Sequence, residues 1–377
     1  MSITAAAPDA NPGQPKLYGL DHLRALAITL VFAYHYGRIF PAPEWLYNLG
    51  KFGWTGVDLF FVLSGYLISS QLFAGIANQQ GILLRPFFIK RSFRIIPAYL
   101  VVLAVYVFFP PLREREAPAP LWKYLTFTQN LGLDLRTQGT FSHAWSLCIE
   151  EQFYLLLPVT LLLLVHIKKF RYGVWIMGAL YTAGFALRWY MYHTRVVPFL
   201  DQPGGAFNWY KWIYYPTYSR LDGLLSGVGI AAIFQFRPHL KAWINAYGNF
   251  FLLLGLFILS AAYYVCIYEE SFDASVFGFF LVSIGYGATV LGAVSKSSLL
   301  YKLKPVVSAT IASLSYAIYL THKIVIHVTQ VQLAKLNINK ESNWTLLVCI
   351  ATCFAAAWLL QVLIEKPFLR LRTKFLD

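Results

Sequence analysis

The sequence predicts an all-α fold, a polytopic membrane helical bundle of about ten transmembrane helices with both termini cytoplasmic. Three observations predict it. Apolar residues make up 58% of the 377 and only 13% are charged, giving a mean hydropathy of +0.54, far from a disordered chain or an ordinary soluble enzyme. Runs of about twenty apolar residues recur throughout, long enough to cross a bilayer core as helices. The basic residues collect between those runs, on alternate connections.

Taken in order, residues 1–17 have no cationic start followed by an apolar core, so they read as a disordered tail rather than a cleaved signal peptide. Residues 18–370 form one transmembrane domain, and 371–377 a C-terminal tail. The expected spans lie at about 20–38, 54–76, 95–110, 146–166, 173–192, 217–236, 247–267, 274–294, 308–330 and 344–364.

With the N-terminus inside, Arg85, Lys90, Arg91 and Arg94 fall on the cytoplasmic side, as do Lys168, Lys169 and Arg171, then Arg237 and Lys241. Lys296, Lys302, Lys304 and the final Lys366, Arg370, Arg372 and Lys374 follow there, while Glu269, Glu270 and Asp273 lie opposite. The net charge of +14 is therefore read as membrane orientation, and nucleic acid is not an expected partner.

Two outer loops stand out. The loop from Pro110 to Ser142 contains the amphipathic stretch LWKYLTFTQNLGL, suited to lying along the membrane surface or re-entering it. The Tyr- and Trp-rich loop 193–215 reads either as an interfacial belt or as stacking platforms for sugar rings. Cys148, Cys266, Cys349 and Cys353 sit in or beside apolar runs without metal-ligating neighbours, so they read as small core hydrophobes and no metal is expected.

Charged groups inside spans cost about 2.5–3.5 kcal/mol each on insertion scales and usually face the bundle interior for function. Arg24 and His35 lie eleven residues apart on the first span, hence on one helix face and roughly 16 Å apart along the axis. A surface cation then lies below an acid/base group deep in the membrane, a geometry suited to a substrate with a charged head and a long reactive arm. Arg91 and Arg94, three residues apart, present forked donors that suit phosphate. The other islands are Asp58, Glu150, Glu151, Arg220, Asp222, His322 and Glu365. Asp58, Glu150 and Asp222 read equally well as interhelical partners of Arg24, Arg94 or Arg220. Glu150 and Glu151 point about 100° apart, so they cannot serve one spot together.

The segments LDHLRALAITLVFAYH, GVDLFFVLSGYLIS, RSFRIIPAYL, HAWSLCIEEQFYLLLP, SRLDGLLSG and SLSYAIYLTH occur in that order. Together they resemble the signature segments of the acyltransferase-3 family of membrane O-acyltransferases, here without the SGNH hydrolase-like extension of larger relatives. The resemblance implies transfer of an acyl group, most often acetyl from cytoplasmic acetyl-CoA, to a hydroxyl of a cell-surface or lipid-linked glycan at the bacterial inner membrane. It implies His35 as the catalytic histidine, Arg24 as the arginine of the R-x10-H motif, Arg91 and Arg94 as the donor-associated R-x-x-R, and Glu150 and Glu151 as the paired glutamates. His22, Cys148 and Lys323 depart from the residues common at those positions.

On this reading Arg91, Arg94 and Arg24 hold the phosphates of acyl-CoA. His35 takes the proton of the acceptor hydroxyl, and Glu150 or Asp58 orients the imidazole. Glu151, Arg220, Asp222 and His322 are supporting candidates. A covalent acyl-histidine is the second variant, and because the sequence stops after the tenth span it is expected either to complete transfer itself or to need a separate partner. Other readings are acylation of a small secondary metabolite, or a transporter of an anionic metabolite, which would move substrate without consuming CoA.

Overall fold

The computed structural model describes residues 17–376, so the expected tail 1–17 falls outside the described residues except for Leu17. The described chain is helical, and its sole bridge of β type joins Pro118 to Thr140. The helices are α1 (Tyr18–Ile39), α2 (Glu44–Gly50), α3 (Gly56–Ala77), α4 (Leu84–Phe108), α5 (Leu121–Leu125), α6 (Trp145–His166), α7 (Gly173–Met191) and α8 (Ala206–Trp209). They continue as α9 (Asp222–Phe236), α10 (Pro238–Ala246), α11 (Gly248–Val265), α12 (Phe279–Val294), α13 (Leu299–Lys302), α14 (Val306–Lys335), α15 (Asn343–Leu360) and α16 (Lys366–Thr373). The last of these enters the segment 371–377 expected as a tail.

A helix stands at each of the ten expected positions. Among the described residues, seven helical runs are long and apolar enough to cross a membrane: Gly53–Ala77, Leu84–Phe108, Ser142–His166, Gly248–Val265, Ala274–Val294, Val306–Lys335 and Asn343–Thr373. The protein is a helical membrane protein. Helix α9 falls short of that length at 15 residues, and α1 carries Asp21, Arg24 and Arg38 among its 22 residues.

The chain divides into two compact units. The first takes the residues up to Val57, Leu83–Glu114 and everything from Leu299 onward. Its centre is α1 against α14, with α15 also packed on α14. Ala33, Tyr36, Phe40 and Leu46 pack there with Ile326, Leu346, Cys349 and Cys353; these two cysteines thus serve as core hydrophobes. The end of α2 and the segment after it lie close against α1. A Cβ on Gly50 would press on the Ala33 carbonyl oxygen at 2.7 Å, and one on Gly53 or Gly56 would collide with the carbonyls of Leu30 and Ala27.

The second unit comprises Asp58–Ile82 and Arg115–Ser298. Here α3 and α9 approach through glycines: a Cβ on Gly65 would strike the Leu224 backbone, and one on Gly227 the Val62 carbonyl and the Tyr66 amide. Small residues at such contacts let helix backbones approach closely in lipid. The loop 110–142 is α-helical only over Leu121–Leu125. Beyond Phe127, at φ 51, it folds inward and buries Gln129, Asn130 and Leu133. Asn130 donates to the Tyr215 carbonyl at 3.2 Å and to Thr217 Oγ1 at 2.8 Å, while Gln152 donates to the Phe127 carbonyl at 2.7 Å. These bonds satisfy the polar groups of a loop that would otherwise leave them stranded in the interior.

Candidate active site

In the first unit α1 and α14 run alongside each other in the same sense. His22 meets Ser308 and the Leu303 carbonyl near the start of both helices, and further along His35 meets His322. The two imidazoles stack with centroids 4.9 Å apart and planes at 27°, and His35 Nδ1 lies 2.8 Å from His322 Nε2. His322 is fully buried, whereas His35 is half-buried.

Proton counting assigns the tautomers. His322 Nδ1 faces the Ile318 and Tyr319 carbonyl oxygens at 3.0 and 2.9 Å. Carbonyl oxygens only accept, so Nδ1 carries the proton and the Nε2 of a neutral His322 is an acceptor. His35 therefore donates Nδ1–H to it, and the lone pair of a neutral His35 resides on Nε2. This is the nitrogen state a general base requires. Gln330, donating to Tyr36 Oη at 3.0 Å and to the Pro41 carbonyl at 2.9 Å, secures the end of α1 beside the pair.

The residue after His322 is buried in an ion pair. Lys323 Nζ lies 2.9 Å from Glu114 Oε1, with the two side chains 2% and 0% exposed. Glu114 is brought there by its neighbour. Arg113 turns back to donate to the carbonyls of Tyr106 and Val107 at 2.6 and 2.8 Å, satisfying carbonyls that the end of α4 leaves open.

Arg24, Arg91 and Arg94 belong to this same unit. Arg24 is 3.5 Å from Asp21, one turn earlier on α1. Arg91 and Arg94 are half-buried on α4; α16 packs against that helix, and Phe375, just beyond α16, meets Phe93 with rings 5.2 Å apart. Arg94 also interacts electrostatically with Glu365. Tyr316 on α14 donates to the Ile95 carbonyl at 2.8 Å, tying α4 to the helix that bears His322.

The remaining candidates lie in the second unit. Arg220 Nη2 donates to both oxygens of Asp58 at 2.9 Å, in a pair whose side chains are 0% and 2% exposed. Aromatic rings enclose the guanidinium: Phe279 at 4.1 Å, Tyr214 at 4.5 Å and Trp145 at 5.1 Å to the centroids. The interhelical role read for Asp58 is thus occupied by Arg220. Asp222 bonds instead to Arg188, at 2.6 and 3.3 Å. Glu150 accepts from Ser64 Oγ at 2.8 Å and from Tyr154 Oη at 3.2 Å. Glu151 is half-buried and interacts electrostatically with Cys148.

Outside the spans, a hydrogen bond from Arg136 holds the Asp134 carboxyl down to about 2, assisted by Lys211 at 3.3 Å. Lys211 and Arg195 both lie over the Trp212 ring. Three of the seven aromatics of loop 193–215 turn inward. Trp209, Tyr214 and Tyr215 are buried around Arg220 and Trp145. Sequence reasoning missed Glu114, Ser64, Tyr154 and Arg188. The signal for Arg188 is a lone cation within an apolar run, and Tyr154 stands one helical turn after Glu150. Glu114 gave no such signal, since it lies in a mixed-charge loop.

Residues 17–362 match the family described as "Acyltransferase domain". The chain is similar to a protein of Listeria monocytogenes named "Peptidoglycan O-acetyltransferase OatA", 29% identical over 375 residues, covering 92% of this chain and 55% of that protein. It is also similar to the "O-acetyltransferase OatA" of Staphylococcus aureus, 31% identical over 328 residues, covering 81% of this chain and 50% of the relative. The chain thus spans about half the length of the curated relatives it matches. No solved structure matches it.

Proposed function

This chain belongs to the acyltransferase-3 family, and from that premise we propose that it transfers an acyl group, foremost acetyl, from cytoplasmic acyl-CoA to a hydroxyl of a cell-surface or lipid-linked glycan at the bacterial inner membrane. The observation that carries the proposal is the His35–His322 pair, in which backbone carbonyls fix one ring and that ring fixes the other. His35 then offers its Nε2 lone pair to the acceptor. As the hydroxyl oxygen attacks the activated carbonyl, its proton passes to Nε2, and the imidazolium keeps donating Nδ1–H to His322. The departing group then takes the proton from Nε2, and the ring returns to its starting tautomer. Such proton transfer is typically worth about 10²–10⁴-fold, and a water-poor interior limits hydrolysis of the acyl group.

His322 is a positioning residue here, in the place a carboxylate takes in a Ser-His-Asp triad. Arg91 and Arg94, with Arg24, bind the phosphates of the donor by charge-assisted hydrogen bonds. The glycan acceptor is supported by the names of the Listeria and Staphylococcus relatives. The test is to reconstitute the purified protein with radiolabelled acetyl-CoA and lipid-linked saccharides. Labelled saccharide ester is the expected product, and consumption of acetyl-CoA without one, or no consumption at all, refutes the reading.

A further inference from the structure

The second unit contains a nucleophile, a base and an orienting group already in contact. Ser64 on α3 donates its hydroxyl proton to Glu150 Oε1 on α6 at 2.8 Å. Tyr154, one turn after Glu150, places its hydroxyl 3.1 Å from Ser64 Oγ and 3.2 Å from Glu150 Oε2. Serines within apolar helices commonly return their proton to a carbonyl of their own helix, as Ser260, Ser283 and Ser315 do. Ser64 instead hands it across to a carboxylate. Ser64 and Glu150 are half-buried while Tyr154 is buried. The two residues that would react are thus less enclosed than the one that orients them. A nucleophile within hydrogen-bond reach of a base that a third group holds is the arrangement of covalent acyl transfer.

We propose that Ser64 is an acyl-carrying nucleophile, with Glu150 as its base and Tyr154 as the positioning residue. The proposal rests on the acyl-CoA reading above and adds a covalent stage to it. In the first step Ser64 Oγ bonds to the acyl carbon, the carbon–sulfur bond of the thioester breaks, and the serine proton passes to Glu150 and on to the departing CoA sulfur. In the second, the acceptor hydroxyl oxygen bonds to the acyl carbon, the bond to Ser64 Oγ breaks, and Ser64 recovers a proton. The sum is thioester plus alcohol giving ester plus thiol, with no change of oxidation state. Tyr154 Oη, within reach of Ser64 Oγ, also supplies a donor for charge that develops on the ester.

The experiment is an acid-quenched single turnover of the full chain in lipid nanodiscs with [14C]acetyl-CoA and no acceptor, followed by proteolysis and mass spectrometry. Acetyl ester on the peptide bearing Ser64 is expected, and it should be chased off by adding lipid-linked saccharide. Ser64→Ala should carry no label there and lose acceptor transfer by at least about 10²-fold. Glu150→Gln should slow labelling by about 10² or more, and Ser64→Cys should yield a hydroxylamine-labile thioester at the same position. A wild type that acetylates acceptor yet carries no label on Ser64 overturns the covalent stage alone, as does label on His35 in its place. A wild type that does not consume acetyl-CoA overturns the donor reading, and the covalent stage with it.

Discussion

Replacing His322 with Ala removes the acceptor that holds the Nδ1 proton of His35. A hydrogen bond of this kind contributes about 0.5–1.5 kcal/mol net, and a tenfold rate change corresponds to about 1.4 kcal/mol. Loss of the tautomer bias alone therefore lowers kcat by about twofold to tenfold. The 2.8 Å contact and the stacked ring also set the orientation of the imidazole, so the full effect falls between that figure and the roughly 10²–10⁴-fold expected for His35→Ala. His322→Gln, whose amide oxygen accepts, should recover part of the loss. The assay is steady-state transfer from acyl-CoA, with kcat separated from KM. KM for the donor should stay within about twofold, because the phosphates are held elsewhere. The double variant His35→Ala/His322→Ala should be no slower than His35→Ala, since His322 acts only through His35. Full activity in His322→Ala, or losses that multiply in the double variant, would refute the tautomer reasoning.

Other perturbations have equally definite outcomes. Arg91→Ala and Arg94→Ala should each raise the Kd for acyl-CoA by about 10- to 100-fold, the worth of a hydrogen bond to a charged group, as read by calorimetry. Asp58→Ala should destabilise the fold by about 3–5 kcal/mol because it strands Arg220 among aromatic rings, and Asp58→Ala/Arg220→Met should melt above the single variant in detergent. Lys323→Met should likewise lower the melting temperature by stranding Glu114, and Lys323→Met/Glu114→Gln should restore it. The Asp134 carboxyl is held at about 2 by Arg136, so its contribution is complete above the ordinary carboxylate value and lost as pH falls through about 2. Melting of Asp134→Asn should accordingly differ from wild type by a constant, small amount near neutrality and converge with it toward pH 2, the pair being partly exposed.

The helices were legible because bilayer thickness sets their length, and their apolar runs carry that length on the surface of the sequence. The shared face of Arg24 and His35 was legible for a similar reason, since eleven residues make three turns. What stood next to His35 was not. Residues 35 and 322 are joined by packing of α1 on α14, and no local pattern encodes the pairing of distant helices. Periodicity singled out Asp58, Arg220 and Asp222 as buried charges yet could not allot partners. Two cations and two carboxylates allow more than one pairing, and the glycine contacts between α3 and α9 accompany the one adopted. For the loop 110–142 the sequence left open whether the amphipathic stretch lies along the membrane surface or re-enters, and it did not single out Gln129 and Asn130 as buried. The partners of Asn130, Tyr215 and Thr217, lie 85 and 87 residues away along the chain.

Titration of acyl-CoA against His35→Ala, paired with single-turnover transfer by the same preparation, bears on the imidazole with the fewest intervening assumptions. Donor affinity within about twofold of wild type, with transfer to acceptor reduced by 10²-fold or more, is the expected result. Transfer at the wild-type rate by a protein lacking that ring would contradict the role assigned to it.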